Sequence, residues 1–151
     1  MEGIRFNKER AEFYPYNEVY LEAPKKGTKM AGDSPAKHKY VRLDSYDPWK
    51  GEIVSRKYTR FDEMSDKTAI RYLKELKDKY APGSVIADVP SNIRGANAGI
   101  FEANQGRELR GQMILEVPVQ KHPVSERVLL YAKENKIQIR DVEGKIYNIK
   151  R

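Results

Sequence analysis

The sequence predicts an α/β or α+β domain built on a mixed central sheet. Three observations carry that expectation. Ala69, Ile70, Leu73 and Leu76 recur at helical spacing between Ser65 and Pro82-Gly83. Met113, Leu115, Val117 and Val119 alternate with other residues, the two-residue period of a strand with one buried face. The segments around them follow the order helix, three strands, helix, one or two strands, helix, two strands, which a layered mixed sheet accommodates. At 151 residues and 39% hydrophobic content, the chain is expected to form one domain over residues 1–151 with one main core.

Each element has its own local reasons. Asn7 is a possible cap for a short helix over Lys8–Phe13, which Pro15 would stop. A short strand follows over Glu18–Glu22, with Val19 and Leu21 on one face. Residues 23–37 are rich in Pro, Gly, Lys and Ser and read as a mobile loop, so that 1–37 is partly loop-like. Tyr40–Tyr46 and Glu52–Thr59 read as two strands joined by a turn at Asp47-Pro48-Trp49-Lys50-Gly51.

The helix over Asp66–Tyr80 has Ser65 as N-cap and Asp66 at its positive end. Val85–Val89 reads as a short strand. Residues 90–111 hold Gly95, Gly99, Gly106, Gly111 and three asparagines, and read as a long irregular loop with one helical turn. Gln112–Gln120 is a core strand. Ser125 caps a helix in which Val124 and Leu129 stand at staple positions and Val128 and Ala132 continue the apolar face. Ile137–Asp141 and Lys145–Ile149 close the chain as a hairpin turning at Glu143-Gly144.

The charge is uneven. Lys and Arg number 29 against 22 Asp and Glu, a net of +7. Residues 1–24 carry a net of −2, residues 25–60 a net of +6, and residues 61–151 a net of +3. The basic window also holds Tyr40, Tyr46, Trp49 and Tyr58, and basic groups with interleaved aromatics suit phosphates and exposed bases. A solvated surface is the plainer explanation of the same charges.

There are no cysteines, which excludes disulfides, thiolate zinc sites and cysteine nucleophiles. With His38 and His122 as the sole histidines, a multi-histidine metal site is implausible. Any metal would be held by carboxylates and water, which favours a hard ion such as Mg²⁺. No Gly-Lys-Ser/Thr or GxGxxG pattern follows a strand, which argues against nucleotide-triphosphate and dinucleotide chemistry. No apolar run reaches the roughly 18–20 residues of a membrane span, and no secretory segment follows Met1.

The hairpin over residues 40–59 gathers the most chemistry. A turn centred on Pro48-Trp49 pairs Tyr46 with Gly51, Asp44 with Ile53 and Arg42 with Ser55. Alternation then puts Arg42, Asp44, Ile53, Ser55 and Lys57 on one face, and Val41, Leu43, Glu52, Val54 and Arg56 on the other. A bulge at Pro48 would slip this register. If the grouping holds, an aspartate able to bind Mg²⁺ or Mn²⁺ meets a hydroxyl and an ammonium able to orient water or stabilise a phosphoryl transition state. A half-exposed hairpin with charges facing water is the plainer reading.

The αβββαβ order, with Asp44 on the second strand and Ser55-Arg56-Lys57 on the third, resembles the PD-(D/E)xK nuclease superfamily of restriction-endonuclease-like fold. Ser55 stands where the family's acid normally stands. The resemblance implies a missing carboxylate supplied from elsewhere, for which Glu63, Glu12, Glu22 and Glu52 are the candidates. The stretches RLDSYDPWKGEIVSRKYT (42–59), TAIRYLKELKDKYAPGSVIADVPSN (68–92), GQMILEVPVQKHPV (111–124) and IRDVEGKIY (139–147) also resemble C-terminal toxin modules of bacterial polymorphic toxins. These are of the Rhs, contact-dependent-inhibition and LXG types. That resemblance implies a module secreted as part of a larger effector, delivered into a target bacterium and neutralised by a cognate immunity protein.

Three functions follow as expectations. The first is a metal-dependent endonuclease, acting on DNA in preference to RNA. In it Asp44 and a further carboxylate such as Glu22 bind Mg²⁺ or Mn²⁺, and Lys57 positions the attacking water. Ser55, with Glu52 or Glu63, completes the network, and Lys39, Arg42, Arg56 and Arg60 hold phosphates. The second is a metal-independent ribonuclease using His38 or His122 with Lys57, Arg56 and Tyr58. The third is a non-catalytic basic nucleic-acid-binding module. Asp88 and Glu116 are further carboxylates inside strand patterns; the plainer roles are a turn cap for Asp88, and a solvent-facing or arginine-paired group for Glu116.

Overall fold

The computed structural model describes residues 2–23 and 40–148. Five strands form one mixed sheet in the order β1 (Tyr16–Glu22), β2 (Tyr40–Asp47), β3 (Glu52–Arg56), β4 (Gln112–Val117) and β5 (Ile137–Asp141). β1, β2 and β3 form an antiparallel meander, whereas β3, β4 and β5 run parallel. The mixed α/β class expected from the sequence is therefore observed.

The parallel half needs crossovers, and two amphipathic helices provide them. Helix α2 (Asp66–Tyr80) has the bounds expected, and the Ser65 hydroxyl accepts from the Thr68 amide as an N-cap should. It buries Ala69, Leu73, Leu76 and Tyr80 against the sheet face formed by Ile53, Met113 and Leu115. The later helix α5 (Glu126–Glu134) lays Val128 and Ala132 on that same core. The opposite face carries Val54 and Ile114, packed with Tyr14 next to helix α1 (Glu2–Ala11). β3 and β4 are brought together closely, since any side chain at Gly111 would collide with the Gly51 backbone. Gln112 N–H donates to the Gly51 carbonyl at 2.7 Å across that contact.

Several boundaries differ from expectation. α1 begins earlier, so Asn7 lies inside the helix, where its side chain accepts from Arg56. β3 ends at Arg56 and β4 at Val117, because Pro118 has no N–H to continue the ladder; Val119 is 43% exposed. Residues 85–89 form only isolated bridges, Val85 with Glu108 and Leu21 with Ile86, because Asn92 takes the Ala87 carbonyl. Among the described residues, which end at 148, the closing return makes one bridge, Arg140 with Ile146, and no sixth strand. Residues 23–37 lie, beyond Ala23, outside the described residues.

The stretch over 90–111 is more ordered than a loop. It contains helix α3 (Pro90–Ile93), a tight turn over Gly95–Asn97 and helix α4 (Ile100–Asn104). Its asparagines are buried and bond to backbone: Asn92 to Tyr20 and Ala87, Asn97 to Asn17, and Asn104 to Gly106 and Glu108. Among the described residues no helix is long and apolar enough to cross a membrane.

Under α1 lies a buried ionic network. Glu116 on β4 is fully buried and receives Arg56 Nε at 2.7 Å, Tyr14 Oη at 2.6 Å and Arg10 Nη2 at 3.1 Å. Arg56 also donates to Ser45 Oγ at 2.7 Å and Asn7 Oδ1 at 2.5 Å. Burial alone would push the Glu116 carboxyl up, but hydrogen bonds from Arg10, Tyr14 and Arg56, with the Arg56 charge, hold it below the ordinary glutamate value. Glu116 therefore pairs with arginines, one of the two plainer roles foreseen for it.

Removing one partner of such a pair strands the other charge, at a typical cost of about 3–5 kcal/mol. Glu116→Gln should lower the urea-unfolding free energy by about that amount; a loss under about 1 kcal/mol would show that the network contributes little. Since the folded-state value is depressed, this stability is complete above the ordinary glutamate range and is lost as pH falls through the folded-state value. The variant's deficit should accordingly shrink in acid.

Candidate active site

The hairpin turn decides which side chains meet. Asp47 Oδ1 accepts the Trp49 and Lys50 amides, both at 3.0 Å, and Gly51 takes a positive φ of 66°. This wider turn pairs Asp47 with Glu52, Tyr46 with Ile53 and Ser45 with Val54. The expected register is thus corrected by two residues, and it extends to set Asp44 opposite Ser55. A shift of two preserves which residues share a face.

The face assignment changes at one place. In β1 the buried apolar positions are Tyr16, Val19 and Leu21, and in β2 they are Tyr46, Leu43 and Val41. Both alternations skip a beat at Glu18 and Asp44, which stand across from each other between the pairs Asn17–Ser45 and Val19–Leu43. Val41 and Leu43 consequently join the Ile53 core under α2, not the Val54 face.

The β2–β3 ladder ends where this break occurs. The half-buried Asp44 turns its Oδ2 onto the Arg56 amide at 2.7 Å. Burial pushes its carboxyl above the ordinary aspartate value, against the opposing Arg56 amide and the charges of Arg56, Lys57 and Arg42. Lys57 reaches toward α2, with Nζ 3.4 Å from Glu75 Oε1 and 5.1 Å from the Tyr72 ring centre. Lys79 stands 3.9 Å from Glu75 Oε2. Tyr80 closes the group, its hydroxyl raised by burial and then by the charges of Asp44 and Glu75.

The structure therefore brings Asp44, Ser55 and Lys57 to the α2 side of β2 and β3. The proposed extra carboxylates lie elsewhere. Glu52 is on the α1 side, bonded to Arg140 at 2.7 Å. Glu63 pairs with Arg60 at 3.1 Å in the turn before α2, Glu22 pairs with Arg107 at 3.3 Å, and Glu12 is exposed beyond α1. Asp88 is exposed, and Val89 holds the N-cap position of the next turn.

Among the expected phosphate contacts, Arg42 is exposed and Arg60 is shared with Asp62 and Glu63. Arg56 is corrected: its side chain is 1% exposed and committed to Glu116, so a phosphate cannot reach it. Lys39 and His38 lie outside the described residues, as do Lys25, Lys26, Lys29 and Lys37. His122 is exposed, and its amide donates to Asp62.

Glu75 is the residue that sequence reasoning missed. In the run Lys74-Glu75-Leu76-Lys77 it reads as one more charge on a solvated helix face. Its position one residue before buried Leu76 was the available signal, because a helix crossing back over β3 turns such flanking residues toward the strand ends.

No family model, curated protein or solved structure matches the chain. Among the described residues no group of three or more His, Asp or Glu side chains is placed to hold a metal ion. Mg²⁺ commonly binds through one or two carboxylates, with water and substrate phosphate completing its shell. Two carboxylates stand near Lys57: Glu75, paired with it at 3.4 Å, and Asp44, which its charge reaches; a closed protein cage would need more.

Asp44 should be costly to the fold. Its folded-state value is raised, so its stabilising contribution is greatest in acid and falls as pH rises through the folded-state value. Asp44→Asn keeps an oxygen for the Arg56 amide and removes the charge. The variant should melt at or above the parent temperature at pH 7–8, with the advantage vanishing near pH 4. A clear loss of stability at neutral pH would contradict this account of the site.

Proposed function

We propose that this domain is a metal-dependent endonuclease that hydrolyses phosphodiester bonds, in DNA by preference. The observation that carries the reading is the convergence of Asp44, Ser55 and Lys57 where β2 parts from β3. The meander, crossover helix and parallel fourth strand give the αβββαβ order, which supports the resemblance to restriction-endonuclease-like nucleases.

In this reading Lys57 stabilises charge developing on the phosphoryl oxygens and orients the attacking water. Glu75 positions the Lys57 ammonium from α2. Asp44 acts ionised, so its raised value places the onset of activity at a higher pH than an ordinary aspartate would. Arg42 and Arg60 hold flanking phosphates. Mg²⁺ or Mn²⁺ held by Asp44 and Glu75 would supply an acidified water and charge neutralisation. The buried Arg56 fixes Asp44 through its amide and touches no substrate. The wider proposal is a toxin module carried by a secreted bacterial effector and delivered into a target cell, where a cognate immunity protein blocks it.

Plasmid DNA and total RNA incubated with the protein test this directly. DNA should be nicked with Mg²⁺ or Mn²⁺ and remain intact in EDTA. Asp44→Asn and Lys57→Met should each reduce the rate by about 100-fold or more, and Glu75→Gln by about tenfold. Cleavage that survives EDTA, or survives both Asp44→Asn and Lys57→Met, would overturn the assignment. RNA loss in EDTA without DNA damage would indicate metal-independent RNA chemistry instead.

A further inference from the structure

Glu18 has a φ of 51°, in the left-handed region that a residue with a Cβ seldom occupies. The surroundings hold it there. Asn97 clamps the preceding residue from both sides, accepting from the Asn17 amide at 3.2 Å and donating to the Asn17 carbonyl at 2.8 Å. A strained residue with a built clamp is the kind of feature that folds retain at binding sites.

Glu18 also lines a cleft of about 330 Å³, together with Tyr20, Arg42, Ser91 and Asn97. That volume falls at the small end of the range for small-molecule sites. The Asn97 amide is spent on the clamp, which leaves Glu18 as the carboxylate acceptor, Arg42 as the cation and Tyr20 as the aromatic ring. Arg42 approaches Glu18 only to 3.9 Å, and both side chains are more than half exposed, so the pair does little to occupy either group. Tyr20 is held edge-on against Tyr40 at 6.3 Å between ring centres. Arg42 stands two residues before Asp44 on β2, which links the cleft to the candidate active site along one strand.

We propose that this cleft binds one unpaired guanine nucleotide of a nucleic-acid substrate. A carboxylate offers two acceptor oxygens and no donor. The pairing edge of guanine presents N1–H and N2–H side by side, which matches both oxygens. That edge is open only in an unstacked, unpaired base. Tyr20 offers a ring on which the base can stack, and Arg42 receives the adjoining phosphate. The role as a specificity site rests on the nuclease reading; the binding preference does not.

The test uses fluorescently labelled eight-nucleotide oligothymidylates, unsubstituted or with one central dG, dC or dA, titrated into the Asp44→Asn protein. The oligomer with dG should bind about tenfold tighter than the others, the size expected of one good bidentate contact. Adding Glu18→Gln should erase that preference. Glu18→Gly, which suits the left-handed backbone, should erase it too while melting no lower than its parent. Arg42→Ala should weaken all four oligomers together. Equal binding of the four, or a dG preference that survives Glu18→Gln, would overturn the proposal. Plasmid cleavage by the wild type is read separately: dG preference without cleavage sinks the nuclease and keeps the cleft, and cleavage without preference does the reverse.

Discussion

Arg56 is held at both ends, and the two halves of the molecule depend on that. Its guanidinium is clasped by Glu116, Ser45 and Asn7 beneath α1, and its backbone amide donates to Asp44 on the strand next door. The ion pair therefore joins α1, β2, β3 and β4 and, through one amide, also orients a carboxylate of the candidate active site. Tyr14 extends the network, donating to Glu116 and accepting from Arg140, which in turn holds Glu52. A buried charge group of this kind is weak as a source of net stability, but its bonds can be made in one arrangement only. Here those bonds tie α1 to β2, β3 and β4.

The sheet's two faces are covered unequally, and its outer edge is guarded by side-chain amides. α2 and α5 blanket one face, whereas ten-residue α1 covers the other with help from polar bonds. β1 would present an open edge, a template for unwanted pairing. The Leu21–Ile86 bridge covers one end of that edge, and Asn92 and Asn97 dock the segment over 90–97 onto Tyr20 and Asn17, satisfying the rest with amide groups. Asn104 then bonds the Tyr46 hydroxyl in the core. The same amides that close the edge hold Glu18 in its unusual conformation, so edge protection and the cleft share one cause.

How much of this was legible in the sequence depended on the range of the interaction. α2 was read to its end residues because its cap, its apolar spacing and its Pro-Gly stop are all local. The grouping of Asp44, Ser55 and Lys57 survived an incorrect register, since a two-residue slip leaves strand faces unchanged. The fate of Arg56 was not legible. A basic residue beside a lysine on an apparent surface strand looks like a phosphate contact, and only the distant Glu116, sixty positions away, makes it a buried anchor. The asparagines of 90–111 read as loop composition, but the β1 targets of Asn92 and Asn97 lie more than seventy residues back. Much of the surplus positive charge falls on Lys25, Lys26, Lys29, Lys37 and Lys39, within one run of fifteen residues (25–39).

β3 divides the buried ionic network from the candidate active site by residue parity. Its side chains at Val54 and Arg56 face α1, while Ile53, Ser55 and Lys57 face α2. The carboxylates on the two sides have opposite character although both are shielded from water. Glu116 receives three side-chain donors and is held below its ordinary value; Asp44 receives one backbone donor and is pushed above its own. A carboxylate satisfied by arginines has no capacity left for another ligand. Asp44, held among the described residues by a single amide, has a charge that burial leaves poorly compensated, which a cation or a proton would relieve. Environment thus gives the two acids opposite character. The separation works only because Arg56 keeps its guanidinium on the α1 side: turned toward Asp44, it would neutralise the group that the α2 side leaves available.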